Sequence, residues 1–145
     1  MTGRLAGKVA VVTGAGSRGA GIGNGKAAAI LFAREGAQVL CADQVASRAA
    51  ETVADISGEG GTASVFECDV SRPEDCQRLA AAAVERYGRL DILQNNVGIP
   101  SNQSLGEITE DAWDHVMAVN VKSMVLAAQA VVPHMLANGA GSIIN

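Results

Sequence analysis

Six glycines, Gly14, Gly16, Gly19, Gly21, Gly23 and Gly25, stand between a β-branched run, Lys8 to Thr13 (KVAVVT), and a helix-forming one, Ala27 to Arg34 (AAAILFAR). Glycines at this density leave backbone N–H groups bare, and a helix that begins behind them directs its positive end at whatever lies on the loop. The chemistry this favours is anion capture, of a diphosphate above all. Gly14, Gly16 and Gly19 fit G-x-G-x-x-G, and Asp43 closes the next apolar run, Gln38 to Ala42, at the distance where an acid can hold two ribose hydroxyls. A carboxylate there repels an additional ribose phosphate, so the pattern points to NAD, with NADP as the alternative.

The glycine stretch has two rival readings. Gly25-Lys26 resembles the end of a P-loop, but Ala20 stands where its first glycine belongs and Ala27 replaces the magnesium-binding Ser or Thr. Phosphoryl transfer is thereby disfavoured. An adenosylmethionine-dependent methyltransferase also places an acid after its second strand and stays open at this point.

Further polar groups stand at the ends of later apolar runs: Asp69 in Cys68-Asp69-Val70, and Asn95-Asn96-Val97-Gly98. Tyr87, the only tyrosine, has Asp91 four positions on and so makes no Y-x-x-x-K. His115 and His134 have no partner at ligand spacing, and Cys41, Cys68 and Cys76 are odd in number without C-x-x-C spacing, so they read as reduced structural thiols and no metal site is expected.

The elements that must position these groups alternate. Strands are expected at Lys8 to Thr13, Gln38 to Ala42, Thr62 to Glu67, Leu90 to Gln94 and from Ser142 to the last residue. The first helix should run from about Lys26 to Arg34, with Ala27, Ile30 and Leu31 facing the sheet and Gly36 as its stop. A second, Ser47 to Ile56, takes Ser47 as N-cap; a third runs from Pro73 to Tyr87 with Ser71 as cap. Thr109 to Ala137 is long and helical, with a break expected near Pro133. Alternation of this kind implies an α/β fold with a doubly wound parallel sheet, right-handed crossovers and ligands at the carboxyl ends of the strands.

Composition narrows the class. At 145 residues and 48% hydrophobic the chain reads as one domain, and a net charge of −4 without a basic run argues against nucleic acid or an anionic membrane as partner. No uninterrupted run of about 18 apolar residues and no signal peptide is legible, which points to a soluble cytoplasmic protein.

With these residues assembled, the sequence resembles the short-chain dehydrogenase/reductase family over its whole length. Thr13-Gly14 opens that family's T-G-x-x-x-G-x-G, and counting back from Asp43 by the family spacing places the last glycines at Gly23 and Gly25. The loop then carries about five extra residues within Ala15 to Ile22. The resemblance implies a Rossmann-like sheet of strand order 3-2-1-4-5, truncated in its fifth strand, with the diphosphate on Gly14, Gly23, Asn24 and Gly25. Ser17 and Arg18 are within reach of a phosphate, although Arg18 reads equally as a solvated loop residue or as an offset to Asp43 that admits NADP.

By the same resemblance, Asp69 and Val70 hold the adenine; the competing reading of Asp69 is a strand-end cap. Asn95-Asn96-Val97-Gly98 is similar to the family's N-N-A-G, whose asparagines, here Asn95 and Asn96, tie the central strands together and whose backbone, here at Gly98, lies near the cofactor ribose. Val119-Asn120-Val121 is similar to the family's long interface helix, where Asn120 distorts the helix and serves the proton relay; a satisfied buried amide is the alternative.

The family's Ser, Tyr and Lys are missing. The resemblance therefore implies the N-terminal, cofactor-binding part (residues 1–145) of an NAD(P)-dependent oxidoreductase, roughly 100 residues short of a typical member and inactive alone. Its substrate, a small alcohol or carbonyl compound, belongs to the full-length protein; only Pro100 to Leu105 is expected to border it here. Val116, Val119, Met124, Val125, Val131 and Met135 cover more than one face of the 109–137 helix, which implies a homo-oligomer or the missing elements as cover. The alternative is a non-catalytic dinucleotide-binding or subunit-interaction module; the methyltransferase is disfavoured by Thr13-Gly14, Asn95 to Gly98 and Asn120 together.

Overall fold

The computed structural model describes residues 3–145. Five parallel strands, β1 (Val9–Thr13), β2 (Gln38–Asp43), β3 (Thr62–Glu67), β4 (Ile92–Gln94) and β5 (Ser142–Ile144), form one sheet in the order β3-β2-β1-β4-β5. The helices are α1 (Asn24–Arg34), α2 (Ala46–Gly58), α3 (Pro73–Tyr87), α4 (Glu110–Met117) and α5 (Ser123–Ala137), with a π-helical turn at Ala118–Lys122 joining the last two. The expected α/β fold and strand order are the observed ones.

Every residue of β1 is buried, because the central strand is covered on both faces. Its side chains alternate between two cores. Val9 and Val11 pack with Leu40, Leu93 and Leu79 against α3 and α5, while Ala10 and Val12 pack with Val39, Ala29 and Ile56 against α1 and α2. Each fully buried leucine or valine contributes about 1.5–3 kcal/mol, so the two cores together fix β1, and with it the loop that leaves its carboxyl end.

The amino end of the sheet carries an ionic cluster around one buried carboxylate, with its two cations half-exposed. The Asp91 carboxylate accepts the Val9 N–H at 2.9 Å, two hydrogen bonds from Arg89 at 2.7 and 2.6 Å, and Lys8 Nζ at 3.4 Å. Burial works against the charge, but the Arg89 and Val9 hydrogen bonds outweigh it and hold Asp91 below the usual carboxylate range.

Several local expectations need correction. Helix α1 begins at Asn24, because extended Gly23 is its N-cap and accepts the Ala27 N–H. Its buried stripe is Gly25, Ala29 and Ile30, and Leu31 points away at 55% exposure, about 100° round the helix from Ile30. Ser47 does not cap α2; Val45 occupies that position, its own N–H held by Asp43 Oδ1 at 2.9 Å. Ser71 does not cap α3 either, since both its N–H and hydroxyl donate to Asp69 Oδ1. Strand β4 starts at Ile92, after the residue committed to the ionic cluster, and β2 extends to Asp43.

The long helix departs from expectation in two ways. Pro133 is carried inside α5 without ending it, and the irregularity is the π turn around Asn120. A helix from Glu110 to Ala137, 28 residues, is by length and composition long and apolar enough to cross a membrane although it holds no uninterrupted apolar run of 18, because its acids, Glu110, Asp111 and Asp114, stand in the first turns and Lys122 is the only charge after them. One stripe of it, Ala127, Val131 and Met135, lies in the core against α3.

Candidate functional site

At the carboxyl ends of β1, β2 and β4 a cleft of about 300 Å³ opens, lined by the glycine loop, the β2–α2 turn, Cys68 to Val70 and Asn96 to Gly98. It brings together Gly14, Ser17, Arg18, Gly23, Asn24, Gly25, Asp43, Asp69, Val70, Asn96 and Gly98, residues separated by as much as 84 positions in sequence. Asn95 and Asn120 lie outside its lining.

The glycine loop is built by close approach. A Cβ on Gly25 would fall on the Gly14 carbonyl oxygen and against Asn96 Nδ2, and a Cβ on Gly16 would fall on Arg48 Cβ. Gly14 has φ +62°, a region that favours glycine. These contacts, and not those of Gly19, require glycine: a Cβ on Gly19 meets nothing. Close approach thus falls on Gly16 of the literal pattern and on Gly25 of the family register, whereas a Cβ on Gly23 would meet Ser17 Oγ at an ordinary 3.6 Å and nothing nearer. Ser17 Oγ accepts the Gly23 N–H at 3.0 Å, closing the extra residues into a loop over the start of α1. Helix α1 has no side-chain cap and no acid in its first turn, so its N-terminal N–H groups remain available to an anion at the cleft.

Asp43 sits where β2 ends. Its Oδ2 accepts the Gly16 N–H at 3.1 Å and its Oδ1 the Val45 N–H, so the carboxylate is fixed by backbone while each oxygen keeps a lone pair. Asp69 uses Oδ1 for Ser71, and its own N–H donates to Asp75 at 2.9 Å. The strand-end turn that competes with the adenine role of Asp69 is thus present, and Oδ2 takes no donor among the described residues.

The two asparagines divide their work. Asn95 is buried and joins β4 to β5: its N–H donates to the Ile144 carbonyl and its Nδ2 to Asn145 Oδ1 at 2.9 Å. Asn96 joins β4 to β1, donating its N–H to Thr13 Oγ1 at 3.1 Å and Nδ2 to the Gly14 carbonyl at 3.2 Å. Asn120 grips the chain that continues from Gly98, its Oδ1 accepting the Ile99 N–H and its Nδ2 donating to the Ile99 carbonyl, both at 2.8 Å. The side-chain amide is satisfied but half-buried, not buried as the plainer reading had it, and the helix forms a π turn there.

Residues that the sequence reading missed include Thr52, whose hydroxyl donates to the Ala15 carbonyl at 2.7 Å from the buried side of α2, and Arg48, which lines the cleft. No spacing pattern reveals Thr52; Arg48 was discoverable as the cation in the first turn after Asp43. Tyr87 is accounted for elsewhere: its hydroxyl pairs with Ser64 Oγ at 2.7 Å, and burial raises its pKa. Burial likewise pushes the thiols of Cys41 and Cys68 up to about 12 and that of Cys76 to about 11.

Comparison with known proteins agrees with this geometry. The short chain dehydrogenase family pattern matches residues 8–145. The chain is 37% identical over 142 residues to the 3-oxoacyl-[acyl-carrier-protein] reductase FabG of Thermotoga maritima, covering 98% of this chain and 56% of that protein. Among solved structures it is similar to a short-chain dehydrogenase/reductase from Burkholderia xenovorans (TM-score 0.93, 41% identity, 97% of this chain and 56% of that one). It is also similar to a 7α-hydroxysteroid dehydrogenase complexed with NADH and 7-oxo glycochenodeoxycholic acid (TM-score 0.89, 36% identity, 97% and 52%). A metagenomic short-chain oxidoreductase in complex with NADP matches at TM-score 0.89 and 33% identity, over 97% of this chain and 62% of that one. The chain thus spans about half the length of these relatives. A family pattern over nearly the whole chain and a fold shared at this level decide the matter: the chain belongs to the short-chain dehydrogenase/reductase family.

Proposed function

We propose that this chain is the cofactor-holding part of an NAD(P)-dependent oxidoreductase, with NAD the favoured cofactor. The observation that carries the reading is the glycine cradle: Gly25 and Gly16 sit where any Cβ would collide, so backbone alone faces the cleft beside the uncapped start of α1. When bound, a nicotinamide dinucleotide supplies hydride exchange with an alcohol or carbonyl carbon. The chain's own residues bind and orient it. Gly14, Gly23, Asn24 and Gly25, with Ser17 and Arg18 beside them, take the diphosphate; Asp43 accepts from the adenosine ribose; Asp69 Oδ2 and the Val70 backbone take the adenine; and Asn96 to Gly98 flank the second ribose. Asn120 is a positioning residue in this reading, through its paired hydrogen bonds to Ile99.

Turnover needs a proton donor that these residues do not provide, since the one tyrosine is tied to Ser64. The small alcohol or carbonyl substrate therefore belongs to a longer protein, in the cytoplasm on this reading, and the 145-residue chain alone binds without turning over. The exposed apolar side chains of Trp113, Val121, Val125 and Leu136 on the 109–137 helix support a homo-oligomer through that face. Sedimentation as a clean monomer would argue against it.

Calorimetric titration of the chain with NADH, NADPH and adenosylmethionine tests the reading. Binding of a reduced dinucleotide with no consumption of alcohol or carbonyl substrates is the expected result. Preferential binding of adenosylmethionine, or no binding of either dinucleotide by the folded chain, would overturn it.

A further inference from the structure

Helix α2 buries three side chains, Ala49, Thr52 and Ile56, and Thr52, at 0% exposure, is the polar one among them. A hydroxyl inside a helix ordinarily bonds back to the carbonyl four residues earlier, as Ser123 does to Val119 at 2.6 Å. Thr52 does otherwise. Its hydroxyl leaves α2 and donates to the Ala15 carbonyl at 2.7 Å, 37 residues away in sequence. A buried hydroxyl committed to one loop carbonyl fixes the direction of that carbonyl.

The carbonyl it holds belongs to a peptide group whose other side serves the cleft. The Ala15 C=O and the Gly16 N–H share one trans peptide plane and point in opposite directions, and the Gly16 N–H donates to Asp43 Oδ2 at 3.1 Å. Thr52 and Asp43 thus hold the same peptide from opposite sides. The Ala15 N–H is bonded to the Ala42 carbonyl at 3.0 Å, which carries the β1–β2 ladder one step into the loop. Gly16 lacks that constraint. Arg48 Cβ occupies the space of its missing Cβ, and a glycine leaves the preceding peptide free to turn over. The close approach that requires glycine therefore creates a freedom that the Thr52 hydroxyl removes.

Resting on the dinucleotide reading above, we propose that Thr52 is a positioning residue for the cofactor: acting from inside α2 through the Ala15–Gly16 peptide, it sets the Asp43 carboxylate toward the adenosine ribose without itself touching the ligand. Two backbone donors fix that carboxylate. One, the Val45 N–H on Oδ1, is local to the turn; the other, the Gly16 N–H, depends on a side chain of another element.

The test combines amide hydrogen exchange with titration of the 145-residue chain by NADH and by its 2′-deoxyadenosine analogue, for the wild type, Thr52→Val and Thr52→Ser. In the wild type the Gly16 N–H should exchange more slowly than that of exposed Gly19. Thr52→Val, which removes the hydroxyl and keeps the branched shape, should release that protection and weaken NADH by about three- to tenfold, as loss of one hydrogen bond implies. The 2′-deoxy analogue, with one hydroxyl fewer to offer Asp43, should lose clearly less. Thr52→Ser should restore both the protection and the affinity. A hydroxyl that only stabilises the fold would leave NADH and the analogue equally weakened in Thr52→Val, and that result would overturn the proposal. Unchanged Gly16 exchange in Thr52→Val would do the same, as would a wild-type Gly16 amide exchanging as fast as that of Gly19, a result that needs no variant to fold. Folded wild type that binds no dinucleotide while Gly16 stays protected would instead overturn the cofactor reading, and the ribose role of Thr52 with it.

Discussion

The two ends of the sheet both carry buried or half-buried charge, yet they differ in what that charge is doing. At the amino end Asp91 is 4% exposed and takes donors from Val9, Arg89 and Lys8. At the carboxyl end Asp43, Asp69, Arg18 and Arg48 gather round a cleft without pairing among themselves. A satisfied cluster holds strands together; the spare hydrogen-bonding capacity at the other end is what the proposed dinucleotide would use. Perturbed ionisation does not tell the two ends apart, since Asp91 is held below the usual carboxylate range at the structural end while burial pushes Cys68 up to about 12 at the cleft.

Substitutions at each end sharpen this contrast. Asp91→Ala should have the largest effect, lowering stability by about 3 kcal/mol through the orphaned Val9 N–H and the loss of two ion pairs, with Lys8 and Arg89 half in water. Urea unfolding would measure it. Because the folded-state pKa of Asp91 lies below its unfolded value, its contribution is present above about pH 4 and fades as pH falls through the folded value, whereas Asp91→Asn should show a flatter acid limb. A wild-type stability that is independent of acidity below that point would break the comparison from the structural side.

Gly25→Ala comes next. The added methyl meets the Gly14 carbonyl and Asn96, so a loss of about 2 kcal/mol from overpacking and a collapse of NADH affinity are expected together. Gly19→Ala is the control, with neither effect, because nothing lies within reach of its Cβ. Should the two variants behave alike, the assignment of Gly25 as the cradle glycine would be wrong.

Asp43→Ala should act mainly on binding, weakening NADH by about tenfold and NADPH less. Equal loss for both would remove Asp43 from the ribose role. The smallest effect concerns the thiols. With Cys41 and Cys68 near 12 and Cys76 near 11, the folded protein should react slowly with a disulfide thiol reagent at about pH 8, and all three thiols should titrate after unfolding. Prompt reaction of Cys68, which lines the cleft, would show that end to be more open than its burial indicates.

Much of this was legible from residues alone, because the signals were local. A β-branched run, a glycine stretch and an alanine-rich helix can only alternate in a few ways, and the resemblance of Thr13-Gly14, Asp69-Val70 and Asn95 to Gly98 to one family supplied the strand order. Helix caps were less legible. Ser47 and Ser71 have the right chemistry at nearly the right place, but Ser47 already lies inside α2, which starts at Ala46, and the Ser71 hydroxyl is turned to Asp69 while Arg72 takes the cap position of α3. No break occurs at Pro133; the helix yields at Asn120, where the resemblance implied a distortion, and there the side chain pairs with Ile99, 21 residues away.

What the sequence by itself determined is the order of the elements, the identity of the glycine loop and the acid that ends β2, all fixed by short-range periodicity and by backbone freedom at glycine. Tertiary structure decided which glycines are indispensable, which acids are saturated and which arginines are left over. Those depend on the approach of segments far apart in the chain, Gly25 to Gly14 and Asn96, Arg48 to Gly16, Asp91 to Val9, and no local pattern encodes the distance at which two such segments stop.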